Sequence, residues 1–199
     1  MSPIHRRVRK FFRVLVFAVP LLFPLLNAVI WAEKPHESQE IIRLNPAQFS
    51  DLPLRIRKEL EQQECTIPQP YDLHSPSLAN VVQAEFAAKG QLDWAVLCSY
   101  EGTSTILVFW EGPVQCATKL HPRPDAGYLQ GIGGGQKGFS REISTITPEE
   151  ITALAENFGE DGYPPPEGQH QGLSDAFRGK ASEVLYCVNG TWIPVAGAD

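Results

Sequence analysis

The sequence predicts an α+β domain that is mainly antiparallel β, with two short helices and two disulfide bonds. Three observations lead to this fold class. Of the 199 residues, 43% are hydrophobic and 20% are charged, which is the balance of a single globular domain. Short runs of aromatic and β-branched residues recur between turn-forming residues, whereas two segments have a helical pattern. Four cysteines follow an apolar N-terminal segment.

The N-terminal segment has the order of an export signal. Met1 to Arg13 is basic, residues 14–30 are almost wholly apolar, and Glu33 begins a polar stretch. A charged region, an apolar region and a small residue at the boundary are typical of a secretory signal peptide. Ala32 fits the position before the cleavage site. The sequence therefore predicts a signal peptide over 1–32.

The remaining chain is predicted to be a flexible leader over 33–48 and one globular α+β domain over 49–199. A retained single-pass membrane anchor is the alternative to a cleaved signal, although Pro20 and Pro24 weaken an isolated helix. A cleaved signal predicts a periplasmic or secreted protein, and contact with the membrane is expected only if the segment is retained as an anchor.

The charge distribution argues against nucleic-acid binding. Five of the 17 basic residues lie before residue 32, which leaves twelve against 23 acidic residues in the rest of the chain. A surface with this excess of negative charge repels phosphate backbones.

The cysteines predict two disulfide bonds, because an even number in an exported domain is typical of a disulfide framework. The sequence contains no Cys-x-x-Cys spacing, which argues against a zinc site. We predict a bond from Cys65, just after the first helix, to Cys98, at the end of the most apolar strand. The second bond then joins Cys116 to Cys187. A bond between Cys98 and Cys116 is the alternative, although Gly112-Pro113 should turn the chain away.

The first helix is predicted over 51–64. Its apolar residues Leu52, Ile56 and Leu60 recur every fourth position on one face, and Pro68 lies beyond its end. The second helix begins at Thr147, followed by Pro and by Glu150 at the third helical position, a capping box. It runs to about Phe158.

Strands are predicted over 81–86, 93–98 and 105–110, with a hairpin loop at 101–104. The second and third runs are almost continuously apolar. Such strands are buried on both faces, so a further layer must cover each side.

A further strand is predicted over 139–146. A terminal hairpin joins 184–188 to 191–195 around Asn189-Gly190, a strong turn signal. Residues 111–137 are expected to be irregular, because they are rich in proline and glycine.

Five aromatic residues could line a carbohydrate or peptide groove, but their apolar neighbours favour core packing. They are Phe86, Trp94, Phe109, Trp110 and Trp192.

Two segments share a pattern in which Gly-x-x-Asp precedes small and aromatic residues. The pairs are Gly90 with Asp93 and Gly172 with Asp175, and the matching residues are 82 positions apart. The first, Gly-x-x-Asp-Trp-Ala-Val, resembles the loop of FG-GAP (integrin α-type) propeller repeats, in which an acidic loop binds calcium. Two such units cannot close a propeller of four to eight blades. The combination of a Cys-x-Ile-Pro-Gln segment with an Asp-Trp-Ala-Val-Leu-Cys strand also resembles exported bacterial proteins, a likeness that implies no activity.

The resemblance implies four ligand positions in each segment. In the first segment they are Glu85, Ala87, Lys89 and Asp93, and in the second they are Glu167, Gln169, Gln171 and Asp175. The alanine offers no side-chain oxygen and the lysine repels a cation, so the first loop should not bind calcium, which needs six to eight oxygens. The second set is a weak calcium candidate with two charged ligands, and a structural turn is preferred. No cofactor is expected.

The sequence favours an exported, non-catalytic domain that binds a protein or glycan partner or is structural. The alternative is an extracytoplasmic hydrolase with a site around Glu167, His170 and Asp175, because His170 lies between two acidic residues. A solvent-facing loop histidine is the preferred interpretation of His170. No Gly-x-Ser-x-Gly or His-Glu-x-x-His motif supports catalysis.

Overall fold

A computed structural model describes residues 41–71, 78–158 and 169–195. The predicted signal peptide and Glu167 lie outside these residues. The described residues form helices α1 (Leu54–Gln62) and α2 (Pro148–Phe158) and twelve strands. The strands are β1 Arg43–Leu44, β2 Ile67–Pro68, β3 Val81–Ala84, β4 Asp93–Tyr100, β5 Thr103–Phe109, β6 Lys119–Pro124, β7 Leu129–Gly133, β8 Gln136–Phe139, β9 Arg141–Ile146, β10 Gly172–Phe177, β11 Ala181–Val188 and β12 Thr191–Val195.

Two antiparallel sheets of four strands form the body of the domain. Sheet I has the order β3-β4-β5-β6, and sheet II has the order β12-β11-β10-β9. Each sheet is a meander, in which strands that follow one another along the chain pair with one another. Two short pairs, β1 with β2 and β7 with β8, complete the described strands. The predicted α+β class, mainly antiparallel β, is confirmed.

The near-continuous burial of β4 is explained by layers on both of its faces. Trp94 and Val96 face the side covered by α1, where Ile56 packs against them. Ala95 and Leu97 point the other way, into a core shared with sheet II. Because alternate residues of a strand face opposite sides, only a strand covered twice is apolar throughout.

Helix α2 covers the outer face of sheet II. Ile151 packs against Val184 and Tyr186, which alternate with the inward-facing residues of β11. The predicted capping box is present: the Thr147 amide donates to Glu150 Oε2, and the Glu150 amide donates to Thr147 Oγ1. The layers therefore run α1, sheet I, sheet II, α2.

The predicted disulfide pairing is confirmed. Cys65 is bonded to Cys98, with 5.4 Å between their Cα atoms, and ties the end of α1 to β4. Cys116 is bonded to Cys187 across 6.1 Å and ties the segment between β5 and β6 to sheet II. Both spacings suit an ordinary disulfide.

The expectation of irregular structure over 111–137 is wrong, since β6, β7 and the start of β8 lie there. β6 contains two prolines, but it is the last strand of sheet I. A proline is tolerated on an edge strand, where its missing N–H removes no central ladder bond.

The loop that carries Gln169, Gln171 and Asp175 was expected to be a structural turn, but its last part, from Gly172, belongs to the central strand β10, which pairs with both β9 and β11. Few of its residues are strand formers. Pairing on both sides overrides that weak local preference.

The folded domain also begins before the predicted boundary at residue 49. β1 pairs with β2. Arg43 Nη2 donates to Asp125 Oδ2 at 2.8 Å, and Ser99 Oγ donates to the same oxygen at 2.6 Å. This buried carboxylate holds the first strand against sheet I. Among the described residues, no helix is both long and apolar enough to cross a membrane.

Candidate functional site: a polar pocket at one end of the two sheets

The core between the sheets changes from apolar to polar towards one end. On β4 the inward positions run Ala95, Leu97 and then Ser99, which is buried. On β10 they run from Leu173 to Asp175. The same faces that exclude water at one end therefore present hydrogen-bonding groups at the other.

Two carboxylates face each other at this end. Asp175 on β10 lies directly opposite Glu183 on β11. Like charges at such a cross-strand position are destabilising unless a cation lies beside them. Arg141 and His121 both contact Asp175, and His121 Nδ1 lies 3.6 Å from Glu183 Oε2.

Arg141 on β9 is fully buried, and its guanidinium joins the two sheets. Nε and Nη2 donate to the two oxygens of Asp175 at 2.9 and 2.8 Å. Nη1 donates to the Ser104 carbonyl at 2.8 Å and to its hydroxyl at 2.9 Å, and Nη2 also donates to the His121 carbonyl at 2.9 Å. All five N–H groups of the side chain are thus accounted for. We call this group, Arg141 with Asp175, Ser104 and His121, the arginine clamp.

The clamp sets the ionisation of its carboxylate. Burial alone would raise the pKa of Asp175, but hydrogen bonds from His121 and Arg141 and their positive charge outweigh it, so this pKa lies below its ordinary value. Tyr128 packs against the clamp with the Arg141 guanidinium carbon 4.9 Å from its ring centroid. Burial raises the pKa of the Tyr128 hydroxyl, so the phenol stays neutral.

A cavity of about 410 Å³ opens outside the clamp. We call it the mouth pocket. Its walls come from β6 and the turn after it on one side, and from β10 and β11 on the other. It is lined among others by Arg123, Tyr128, Asp175, Phe177, Ser182 and Glu183. The volume lies within the range of sites for small molecules.

The structure does not bring the two described residues of the predicted hydrolase site together. Asp175 lines the mouth pocket, on the inner face of sheet II. His170 is 8% exposed and stacks on Tyr186, with 4.0 Å between the ring centroids, on the outer face beside α2. The expected solvent-facing position of His170 is therefore wrong. The chain enters β10 immediately afterwards, which draws this ring into the layer under α2.

Two of the four calcium candidates, Asp175 and Gln171, are hydrogen-bonded within the protein. Both oxygens of Asp175 accept from Arg141, and Gln171 Oε1 accepts from the Glu85 amide at 3.2 Å. Gln169 is exposed, and Glu167 lies outside the described residues. Within the ranges that the structure describes, no three acidic, histidine or cysteine side chains are grouped to hold a metal ion.

The two segments that resemble FG-GAP repeats occupy comparable places. Asp93 begins β4, and Asp175 lies in β10, each the second strand of its meander. Their glycines differ in role. Gly90 has a φ of 81°, which favours glycine, whereas a Cβ on Gly172 would lie 3.0 Å from the Leu185 carbonyl oxygen. The resemblance stays a prediction.

Asp93 has a structural role at the start of its strand. It accepts from Gln91 Nε2 at 2.9 Å and from the Glu111 amide at 2.9 Å, and burial raises its pKa. Of the aromatic residues, Phe86, Trp94 and Phe109 are buried in the two cores. Trp192 packs on Trp110, with 5.9 Å between ring centroids, and donates to the Ala117 carbonyl.

Sequence reasoning missed Arg141, His121 and Glu183. One signal was present for Arg141: it lies between Phe139 and Ile143 at the period of a strand, so an arginine occupies a position that faces the core. A charge at such a position needs a buried partner of opposite sign. Comparison of the chain with protein-family models, with curated proteins and with solved structures finds no match.

Proposed function

We propose that this chain is an exported, non-catalytic binding domain whose ligand occupies the mouth pocket. The observation that carries the proposal is a cavity of about 410 Å³ with charged and aromatic walls, backed by the buried clamp. A pocket whose polar groups are fixed from behind can orient a ligand without rearrangement, which reduces the entropy lost on binding.

The contacts of Asp175 support binding rather than hydrolysis. A general base must be able to accept a proton, yet this carboxylate is held ionised by Arg141 and its pKa is lowered. His170, its proposed catalytic partner, contacts Tyr186 on the other face of the sheet. A pocket that recognises a ligand needs only fixed charges.

Two observations support export. The two disulfide bonds are typical of proteins from oxidising compartments. The basic and then apolar order of the N-terminal segment is typical of a secretory signal. Intact-mass analysis of the exported protein should show a chain that begins near Glu33. A chain that retains Met1 would contradict cleavage and favour the membrane anchor.

A pocket-filling variant tests the binding site. Amide chemical shifts are recorded while a library of sugars, amino acids and short peptides is added to the purified protein. Ligands should shift the amides of the mouth pocket, and Ala181→Phe, which fills that pocket, should abolish these shifts. Ala47→Phe, a matched change at an exposed alanine in another part of the domain, should preserve them. Shifts that survive Ala181→Phe would place the ligand elsewhere.

A further inference from the structure

The mouth pocket holds two opposite charges that do not meet. The backbone of Arg123 in β6 pairs with Ser104, but its side chain is exposed and has no hydrogen bond or ion pair within the part of the chain that the structure describes. Glu183 on β11 is 44% exposed, and its ionic contact is His121 at 3.6 Å. Both side chains line the same cavity from different walls.

The buried groups behind the pocket interact with one another, since Arg141 and His121 both contact Asp175. Asp175 at the base is neutralised by the two parallel hydrogen bonds from Arg141. Glu183 keeps an exposed face beside its contact with His121, so Arg123 and Glu183 are the positive and the negative group that a ligand in the pocket can reach. A ligand of net charge would be repelled by one of them, whereas a ligand with a charge of each sign at its two ends can satisfy both.

The pocket lining also includes apolar and aromatic side chains. The rings of Tyr128 and Phe177 lie 5.3 Å apart at their centroids, and Pro124 and Ala181 also line the cavity. Aromatic walls offer a large apolar surface to a ligand's side chain. The pocket therefore combines two separated opposite charges with an apolar surface.

From this arrangement we infer that the mouth pocket binds a small zwitterion with an apolar body, a free amino acid or a short peptide. Arg123 binds the carboxylate, Glu183 binds the ammonium group, and Tyr128 and Phe177 contact the apolar side chain. The inference rests on the proposed function and adds the chemical class of its ligand.

Charge-deleted probes test each contact separately. Affinity of the purified, exported protein is measured by calorimetry for phenylalanine, for phenylalanine amide, which lacks the carboxylate, and for N-acetylphenylalanine, which lacks the ammonium. The affinity for a phenylalanine dipeptide, compared with that for phenylalanine, shows whether the pocket prefers a short peptide or a free amino acid. Loss of either charge should weaken binding about tenfold or more, as expected for a hydrogen bond between charged groups.

Two variants assign the partners. Arg123→Gln should remove the difference between phenylalanine and its amide but keep the difference from the N-acetyl probe. Glu183→Gln should do the reverse. Such a cycle isolates one pairwise interaction from general effects on the protein. The matched controls Arg55→Gln and Glu59→Gln line another cavity and should change no affinity.

The outcomes separate the inference from the proposed function. If the charge-deleted probes bind as tightly as phenylalanine, or if the two variants leave the preferences unchanged, the zwitterion is the wrong ligand. A sugar that shifts the pocket amides while zwitterions do not would overturn the inference and leave the binding domain standing. If no probe or library compound shifts the pocket amides, both are overturned. Near-UV circular dichroism verifies that each variant is folded.

Discussion

Replacing Asp175 with asparagine should destabilise the domain more than any surface substitution. The change keeps the size of the side chain but removes the negative charge opposite the fully buried Arg141. It also places an amide N–H₂ group or a single neutral oxygen where two charged hydrogen bonds stood. Removing one partner of a buried ion pair costs roughly 3–5 kcal/mol. For a domain of this size that loss lowers the melting temperature by about 6–20 °C.

Urea unfolding at neutral pH, followed by tryptophan fluorescence, measures the free energy of unfolding. Glu183→Gln is the matched control, because Glu183 lies directly opposite Asp175 but is half-exposed. Its effect should stay within about 0.5 kcal/mol, as for most surface changes. A cost below about 1 kcal/mol for Asp175→Asn would refute a structural role for the clamp.

The effect should also depend on pH. The folded-state pKa of Asp175 is lowered, so its charge contributes stability above the unfolded pKa, about 3.9. That contribution is lost as the pH falls through the folded pKa. The gap between wild type and Asp175→Asn should therefore be constant from neutral pH to about pH 5 and shrink only below about pH 4. A gap that closes already between pH 7 and pH 5 would point to another titrating group.

Three further outcomes are expected. Cys116→Ser opens a loop of 71 residues to Cys187 and should cost roughly 4 kcal/mol by chain entropy; non-reducing peptide mapping that links Cys98 to Cys116 would contradict the pairing itself. Thr147→Ala removes the cap of α2 and should cost about 1 kcal/mol in the same urea assay, whereas an unchanged midpoint would show that the cap is not needed. A calcium chelator should leave the melting temperature unchanged, and a fall of about 10 °C, more than 1 kcal/mol, would reveal a structural cation.

The elements that the sequence predicted well are those that local chemistry determines. The two-sided apolar character of β4 required layers above and below it, and these are α1 and sheet II. The capping box at Thr147 and the turn at Asn189-Gly190 each depend on a few adjacent residues. The pairing of Cys65 with Cys98 followed from the need to place a helix over that strand.

The predictions for β6 and β10 were wrong for one physical reason: both strands are determined by their pairing with residues that are distant in sequence. β10 is a strand because β9 and β11 bond to both of its edges, not because of its own residues. β6 accepts prolines because its outer edge has no neighbour within sheet I. Local propensity carries no information about either circumstance.

The candidate site failed in the same way. Asp175 was singled out as a ligand or catalytic group, but its partners, Arg141 and His121, are 34 and 54 residues away. The acidic residues near His170 suggested a site around it. In the structure its ring packs on Tyr186 under α2, on the face of sheet II opposite to Asp175. Proximity along the chain did not become proximity in space.

Each sheet comes from its own stretch of chain, with sheet I over 81–124 and sheet II over 141–195. The arginine clamp links the two stretches, because Arg141 of sheet II donates to Ser104 of sheet I. The guanidinium is desolvated when the two sheets pack together. We therefore expect transient opening of the domain to separate sheet I from sheet II. The central strands of the two sheets, β4, β5, β10 and β11, should then exchange their amide hydrogens as one cooperative unit. The disulfide bond between Cys116 and Cys187 joins the chain between β5 and β6 to sheet II, so the two sheets stay linked when they separate. Because the link keeps the two sheets at a high effective concentration, they should pack together again faster than either meets another molecule. The disulfide should therefore reduce domain swapping and aggregation.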